Sequence, residues 1–239
     1  MNLVVDVGNT FSKVGIFEKN SLEKKEIFDS TVALKRFILQ TPIENLMISS
    51  VTLPVDEIAS WSPATGCKLV LNQTLPVPIQ NRYATPATLG VDRLAAACGA
   101  WLIFPNQDCL VIDIGTCINY EYINKAGEYL GGAISPGVMM RFEAMHHFTA
   151  KLPQATPTQS FTLTGVTTAS CLQSGVMNGI LEEIKGVVFR YGNQAPGIRV
   201  ILCGGDAHFF ENHLKPSIFV APDLVLMGLN SILLHNVTA

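Results

Sequence analysis

The stretch LVVDVGNT at residues 3–10 and the stretch LVIDIGT at residues 110–116 decide the fold, because they are two copies of one pattern. In each copy an apolar run ends near an aspartate, and a glycine and a threonine follow. The two aspartates, Asp6 and Asp113, lie 113 − 6 = 107 positions apart in a chain of 239 residues. A pattern repeated at a little under half of the chain length indicates a duplicated fold, each half of which begins with a buried strand and a turn.

Each copy combines the features of a phosphate-binding hairpin. The strand fixes the carboxylate, the glycine lets backbone N–H groups converge on an anion, and the threonine hydroxyl adds a donor. The aspartate can hold a divalent cation, directly or through water, that neutralises the phosphates. An aspartate followed by glycine is also an ordinary turn sequence, so a single copy would carry little weight. Two copies in matched contexts predict a nucleotide gripped between two similar halves.

Hydrophobic periodicity predicts the other elements. Strands are expected at residues 2–7, 12–17, 25–28, 46–51, 68–71, 109–113, 117–123, 127–133 and 199–202, and helices at 33–38, 55–61, 90–102, 168–190, after Pro136 and from Asp223. Residues 72–89 and 151–165 are expected to form long structured loops. Three strands followed by helices and further strands occur twice, which predicts an α/β protein with an N-terminal half at 1–106 and a C-terminal half at 107–239.

Two further residue groups are candidates for chemistry. Lys13 lies on the second predicted strand, where its ammonium could reach back over the turn to a phosphate; an exposed lysine beside a tight turn is the alternative. Asp92 and Arg93 open a helix after the break at Gly90. Asp92 could simply stabilise the helix N-terminus, but a cation such as Arg93 is disfavoured there without an anionic partner. A carboxylate beside a fixed guanidinium suits deprotonation of a small polar substrate.

Composition narrows the class of protein. The net charge is −3 and the basic residues are scattered, which argues against a nucleic-acid partner. The N-terminal residues lack the pattern of a signal peptide, and no apolar run is long enough to span a bilayer, so we expect no membrane association. The six cysteines contain no C-x-x-C pair and lie mostly in apolar segments. They are expected to be reduced core residues of a cytoplasmic protein.

Taken together, six motifs resemble those of type III pantothenate kinases. In chain order they are DVGNTFSK at 6–13, YATPATLGVDR at 83–93, DIGT at 113–116, GGAISPG at 131–137, KLP at 151–153 and CGGD at 203–206, and they span nearly the whole chain. The resemblance implies the fold of the acetate and sugar kinase/Hsp70/actin superfamily, with duplicated ribonuclease H-like halves. It also implies transfer of the γ-phosphate of ATP to pantothenate, giving 4'-phosphopantothenate in the first step of coenzyme A biosynthesis. The expected enzyme is a homodimer that uses Mg²⁺ and a monovalent cation, K⁺ or NH₄⁺.

The resemblance also implies roles for individual residues. Asp92 would be the general base, Thr116 would bind an ATP phosphate and Asp113 would hold the monovalent cation. The first phosphate loop would comprise Asp6, Val7, Gly8, Asn9, Thr10, Phe11, Ser12 and Lys13. The pantothenate contacts would be Tyr83, Gly90, Val91, Asp92 and Arg93, joined by Thr168 across the dimer interface. The chain departs from the family pattern at Cys117, Asn119 and Glu121, where alanine, threonine and aspartate are usual.

Two alternatives stay open at this stage. One is a non-catalytic, nucleotide-binding regulatory factor of the same fold, and the other is a kinase for a different small hydroxy compound. Retention of Asp92, Arg93 and both phosphate motifs favours the enzyme. The predicted helix from Thr168 has an apolar stripe that includes Leu172 and Val176, together with small residues, which suits a two-fold dimer contact. A helix packed on its own sheet is the alternative.

Overall fold

The strands and helices follow the predicted order closely. The computed structural model describes residues 1–215 and 218–237. The strands are β1 (Asn2–Val7), β2 (Ser12–Glu18), β3 (Ser21–Phe28), β4 (Asn45–Ser50), β5 (Lys68–Val70), β6 (Gln80–Asn81), β7 (Cys109–Ile114), β8 (Cys117–Ile123), β9 (Glu128–Pro136), β10 (Arg199–Cys203) and β11 (Phe219–Val220). The helices are α1 (Thr31–Gln40), α2 (Val55–Trp61), α3 (Val91–Ile103), α4 (Val138–His147), α5 (Thr168–Gln194), α6 (Glu211–Leu214) and α7 (Leu224–Val237), with short 3-10 helices at Pro86–Thr88 and Ala207–Phe209.

The two sheets repeat one strand order. The first sheet runs β3-β2-β1-β4-β5, and the second contains β9-β8-β7-β10-β11 in the corresponding order. Strand β1 is antiparallel to β2 and parallel to β4, and β7 is likewise parallel to β10. The duplicated α/β fold predicted from residues 3–10 and 110–116 is therefore confirmed.

By its internal contacts the chain divides into two compact units. The first comprises Met1–Asn106, Ile123–Leu130 and the residues from Asp223 onward, and the second comprises Gln107–Tyr122 and Gly131–Pro222. Helix α7 packs against α3 within the first unit, and Gly228 approaches the carbonyl of Ala95 so closely that a side chain there would clash. The C-terminal helix thus belongs by its contacts to the first unit. Division into duplicated halves at 106/107 stays a prediction.

Each unit has its own apolar core. In the first unit, alternate residues of β1 and β4 pack against α1 and α2, as the period of two along a half-buried strand requires. In the second unit, the core between the sheet and α5 includes Leu172, Val176 and Ile180. The apolar stripe of α5 is therefore buried on its own sheet, so it is not available for contact with a second chain.

Two details differ from the sequence predictions. The predicted loop at 72–89 contains β6 and a 3-10 helix. Cys98, Cys109 and Cys203 are buried as expected, but Cys67 and Cys171 are exposed, so the core assignment is wrong for those two. All six thiols are free. Among the helices of the described ranges, none combines the length and the apolar character needed to cross a membrane.

Candidate active site

The first phosphate motif forms the hairpin between β1 and β2. Strand pairing sets Asp6 opposite Lys13 and Val7 opposite Ser12. The N–H of Gly8 donates to the carbonyl of Phe11 across the turn at 3.1 Å. Residues directly opposite each other on antiparallel strands project their side chains to the same face. The structure therefore brings Asp6 and Lys13 to the same face of the hairpin beside the glycine turn, and their role in binding phosphate stays a prediction.

A cavity of about 130 Å³ opens over this turn. It is lined by residues 7–12, by residues 28–31 that precede and open α1, and by Thr52 and Leu53. The Thr52 hydroxyl donates to the carbonyl of Gly8 at 3.3 Å, and the Val51 N–H donates to the carbonyl of Val7 at 3.0 Å. Sequence reasoning missed these flanking segments. The available signal was their position, because polar residues that follow β4 share a sheet edge with the end of its parallel neighbour β1.

A buried hydroxyl lies next to Asp6. Parallel pairing of β1 with β4 sets Ser49 beside Asp6, and Ser49 is fully buried. Its Oγ has no hydrogen-bond partner among the residues that the structure describes. An unsatisfied buried hydroxyl costs about 1–3 kcal/mol, so an ordered water or ligand is the usual explanation. A carboxylate and a hydroxyl are the oxygen donors that Mg²⁺ takes directly or through water. The residues present therefore fit a divalent cation at this position.

The segment from Tyr83 to Arg93 places Asp92 and Arg93 in the first turn of α3. Gly90 is the N-cap of α3, and a Cβ at Gly90 would lie only 2.5 Å from Oδ1 of Asp92. The Asp92 carboxylate is thus folded back over a position that has no side chain. Arg93 is only 8% exposed, and its Cζ lies 5.6 Å from the centre of the Tyr83 ring. A cation over an aromatic face is attracted by the ring quadrupole, so Tyr83 holds the guanidinium in place.

The Tyr83 ring packs on a second, buried tyrosine. Its ring stacks on that of Tyr129, with centroids 6.1 Å apart, and Tyr129 is completely buried. The Arg82 N–H donates to the Tyr129 carbonyl at 2.9 Å, and the Arg82 side chain pairs with Glu128 at 3.0 Å. These contacts follow from the pairing of β6 with the start of β9. Tyr129 carried no local signal in the sequence, since its role depends on a contact with a segment far away along the chain.

The second phosphate motif lies in the second unit, between β7 and β8. The N–H of Gly115 donates to the carbonyl of Cys117 at 2.9 Å, and Thr116 is exposed at the turn. The N–H of Gly137 donates to the carbonyl of Thr116 at 3.2 Å. A side chain on Gly137 would clash with the carbonyl oxygens of Gly115 and Thr116. Gly137 is therefore required for the close approach of the GGAISPG segment to this loop.

The CGGD turn packs on the end of β7, directly before the same loop. Gly204 has φ +94°, and a side chain there would clash with the Ile114 carbonyl and the Asp113 carboxylate. The N–H of Asp206 donates to the Ile114 carbonyl at 2.9 Å. Burial raises the pKa of Asp206 above its ordinary value, and His208 offsets part of this effect. The turn, which the sequence signalled only weakly, thus braces Asp113.

The three departures from the family pattern share one face of β8. Cys117, Asn119 and Glu121 alternate along the strand, and side chains two residues apart project to the same side. Cys117 and Asn119 are half-buried, whereas Glu121 is completely buried. A carboxylate is therefore kept at the last position, one methylene longer than the usual aspartate.

Thr168 is the first residue of α5. The preceding Thr167 caps the helix, because its Oγ1 accepts from the Ser170 N–H at 3.2 Å while the Ser170 hydroxyl accepts from the Thr167 N–H. The Thr168 side chain is exposed at the start of the helix, next to this capping arrangement. It belongs to the second compact unit, whereas Tyr83 and Asp92 belong to the first.

Solved structures define the class of protein. A chain from Campylobacter jejuni described as belonging to the Baf family of transcriptional activators superposes with a TM-score of 0.67 at 21% identity, covering 99% of this chain and 100% of that one. The activator of 2-hydroxyisocaproyl-CoA dehydratase from Clostridium difficile, solved with bound ADPNP, gives a TM-score of 0.56 at 12% identity, covering 98% and 93%. At these identities the likeness shows the fold alone. The protein has the fold shared by actin, Hsp70 and the sugar kinases.

Sequence comparison then identifies the family. The family model of type III pantothenate kinase matches residues 2–190. The type III pantothenate kinase of Cytophaga hutchinsonii is 41% identical over 237 residues, covering 99% of this chain and 100% of that protein. The chain belongs to the type III pantothenate kinase family, which confirms the resemblance carried by the six motifs.

Proposed function

We propose that this protein carries out the reaction for which its family is named, ATP-dependent phosphorylation of pantothenate to 4'-phosphopantothenate, the first step of coenzyme A biosynthesis. The observation that carries the proposal is the 83–93 segment, in which Asp92 and Arg93 are consecutive residues in the first turn of α3 and the largely buried Arg93 packs on the Tyr83 ring. The chain also has two glycine-turn loops, at residues 6–13 and 113–116, whose sequences match the phosphate-binding motifs of the family. A regulator that binds nucleotide without turnover would have no need for this carboxylate and guanidinium pair.

The two loops would hold the phosphates of ATP. Phosphoryl transfer passes through a loose transition state, so catalysis rests mainly on positioning and charge stabilisation. The backbone N–H groups of residues 8–11 and the Lys13 ammonium would contact phosphate oxygens, and the exposed Thr116 hydroxyl would donate from the second loop. Asp6, with Ser49 beside it, would hold Mg²⁺, whose charge neutralises the phosphates. Asp113, braced by Gly204, would hold a monovalent cation, K⁺ or NH₄⁺.

Asp92 would act on the acceptor. Its carboxylate would orient the primary hydroxyl of pantothenate and accept the proton, as a positioned base does in the transition state. Arg93 would pair with the negative carboxylate of pantothenate, and Tyr83, Gly90 and Val91 would complete the contact. A strongly basic carboxylate is unnecessary, because little proton transfer precedes cleavage of the bond between the γ-phosphorus and the departing ADP.

The proposed assembly is a homodimer that works in the cytoplasm. On α5 the glycines 175 and 179 are exposed, and a Cβ added at either position would have nothing within 4 Å, so a second helix could approach closely. Val166 is 90% exposed just before the helix and Phe189 is 69% exposed near its end. An isologous two-fold contact would cover this face and bring Thr168 to the pantothenate site of the partner. Six free thiols suit a reducing compartment.

A coupled assay of ADP release over a panel of small hydroxy acceptors tests the proposal. The expected result is turnover that needs pantothenate and Mg²⁺ and that rises when K⁺ or NH₄⁺ is added. Selective turnover with another acceptor would reassign the substrate. ATP binding without turnover on any acceptor, under any salt, would favour the regulatory factor.

A further inference from the structure

An arginine in the second unit ties together the end of β9 and two helices. Arg141 lies on α4, and its Nε donates to the carbonyl of Pro136 at 2.9 Å. Its Nη2 donates to the hydroxyl of Ser135 at 3.0 Å and to Oε2 of Glu183, on α5, at 2.5 Å. One planar fork therefore makes three hydrogen bonds, a pattern that suits a guanidinium and that an ammonium cannot reproduce.

Glu183 is held as firmly as its partner. Its Oε1 accepts from the hydroxyl of Tyr120 at 2.8 Å, and Tyr120 is only 2% exposed. Burial alone would raise the pKa of Glu183, but the hydrogen bonds from Arg141, Tyr120 and Ser135 outweigh it and lower that pKa. The Arg141 and Glu183 side chains are 22% and 28% exposed. The pair is thus largely shielded, and it is built into the sheet through Tyr120.

Residues 135–136, which Arg141 binds, are followed directly by the glycine that contacts the second phosphate loop. Ser135 and Pro136 immediately precede Gly137, which donates to the Thr116 carbonyl at 3.2 Å and has no room for a side chain. Any shift of residues 135–136 must therefore move Gly137 against Gly115 and Thr116. The position of the loop depends on how firmly Arg141 holds this segment.

We propose that the Arg141–Glu183 pair is a positioning device for the second phosphate loop and thereby sets the affinity for ATP. The inference rests on the proposed function, in which Thr116 contacts an ATP phosphate. Both side chains act through the loop backbone and not by touching substrate. An ion pair that merely stabilised α5 would instead resemble Lys185–Glu182, which lies on the same helix at 2.8 Å with side chains 47% and 68% exposed to solvent.

Arg141→Lys is the decisive variant, since it keeps the charge and loses the fork. Loss of about one charge-assisted hydrogen bond to residues 135–136, transmitted to the loop through Gly137, corresponds to roughly a tenfold change in affinity. We therefore expect KM for ATP, and Kd for a non-hydrolysable ATP analogue by calorimetry, to rise about tenfold. KM for pantothenate should change less than about twofold. Ser135→Ala, a smaller change, should shift the same two ATP constants in the same direction.

Glu182→Gln, which breaks the exposed pair on the same helix, is the matched control and should leave both constants unchanged. Unchanged ATP constants in Arg141→Lys and Ser135→Ala would overturn the inference, even if the melting temperature falls. It would also be overturned if Thr116→Ala left analogue affinity unchanged, because the loop would then not bind phosphate. The calorimetric arm needs no turnover, so a wild-type protein that binds the analogue but does not phosphorylate pantothenate would refute only the proposed function. If Arg141→Lys fails to fold, Ser135→Ala decides the question.

Discussion

Replacement of Gly204 by alanine should destabilise the second unit by more than the backbone conformation alone explains. At φ +94° a residue with a Cβ is in the left-handed region, which costs about 1–2 kcal/mol. The new Cβ would also clash with the Ile114 carbonyl and the Asp113 carboxylate and would lie 2.5 Å from the Ile114 nitrogen. Two of these atoms are backbone in β7 and cannot move freely, so overpacking adds about 1–3 kcal/mol. The expected loss of unfolding free energy is about 2–5 kcal/mol.

Two other glycines of the same unit separate these contributions. Gly197 has φ +86° with nothing within 4 Å of a Cβ, so Gly197→Ala should show only the backbone cost of about 1–2 kcal/mol. Gly205 has open space and no left-handed φ, so Gly205→Ala should change stability by less than about 0.5 kcal/mol. Urea unfolding followed by circular dichroism measures all three. A Gly204→Ala protein no less stable than Gly197→Ala would show that the contact with β7 is not there.

Three further predictions concern the site. Asp92→Asn should lower kcat by about 10²–10⁴-fold and leave pantothenate binding largely intact; a change of only a few-fold would return Asp92 to stabilising the helix N-terminus. Asp92→Asn and Thr168→Arg, each inactive alone, should regain activity when mixed, and no rescue after confirmed subunit exchange would rule out a shared site. Burial raises the pKa of Asp206 in the folded protein, so its protonated form favours folding. This contribution to stability is complete below the unfolded-state pKa of about 4 and is lost as pH rises through the folded-state pKa. Asp206→Asn should therefore raise stability at neutral pH and remove the loss of stability that Asp206 causes as pH rises through the acid range. Urea midpoints measured against pH test this, and a pH profile identical to that of the wild type would contradict it.

Local chemistry explains why the fold could be predicted from the sequence. A buried strand that ends in aspartate and glycine can be predicted from its local sequence, because the apolar run must be covered and the glycine allows the chain to turn. Asp6, Lys13, Asp113 and Thr116 could be placed on their hairpins for this reason. The stack of Tyr83 on Tyr129 could not, since it depends on the pairing of β6 with β9 across 128 − 80 = 48 positions of chain.

Helix α5 shows what hydrophobic periodicity cannot predict. Its periodicity correctly indicated a buried apolar face, but periodicity does not say what covers that face. In the structure Leu172, Val176 and Ile180 pack in the core of their own unit. The opposite face carries the exposed Gly175 and Gly179, and its availability for a contact could be recognised only once the core was known.

The two phosphate loops share a motif but are held in different ways. The first turn is closed mainly by its own hairpin, through the bond from Gly8 to Phe11, with Thr52 as a lateral brace at 3.3 Å. The second turn is held by other segments, because Gly137 approaches the carbonyls of Gly115 and Thr116, Gly204 approaches the end of β7 just before the turn, and neither has room for a Cβ. A loop clamped by packed backbone needs little further ordering when a ligand binds, which lowers the entropic cost of binding. Its geometry also becomes sensitive to residues that lie outside the loop. Substitutions near the first loop should therefore act locally, whereas the second loop can be disturbed from Arg141, Glu183 or Gly204.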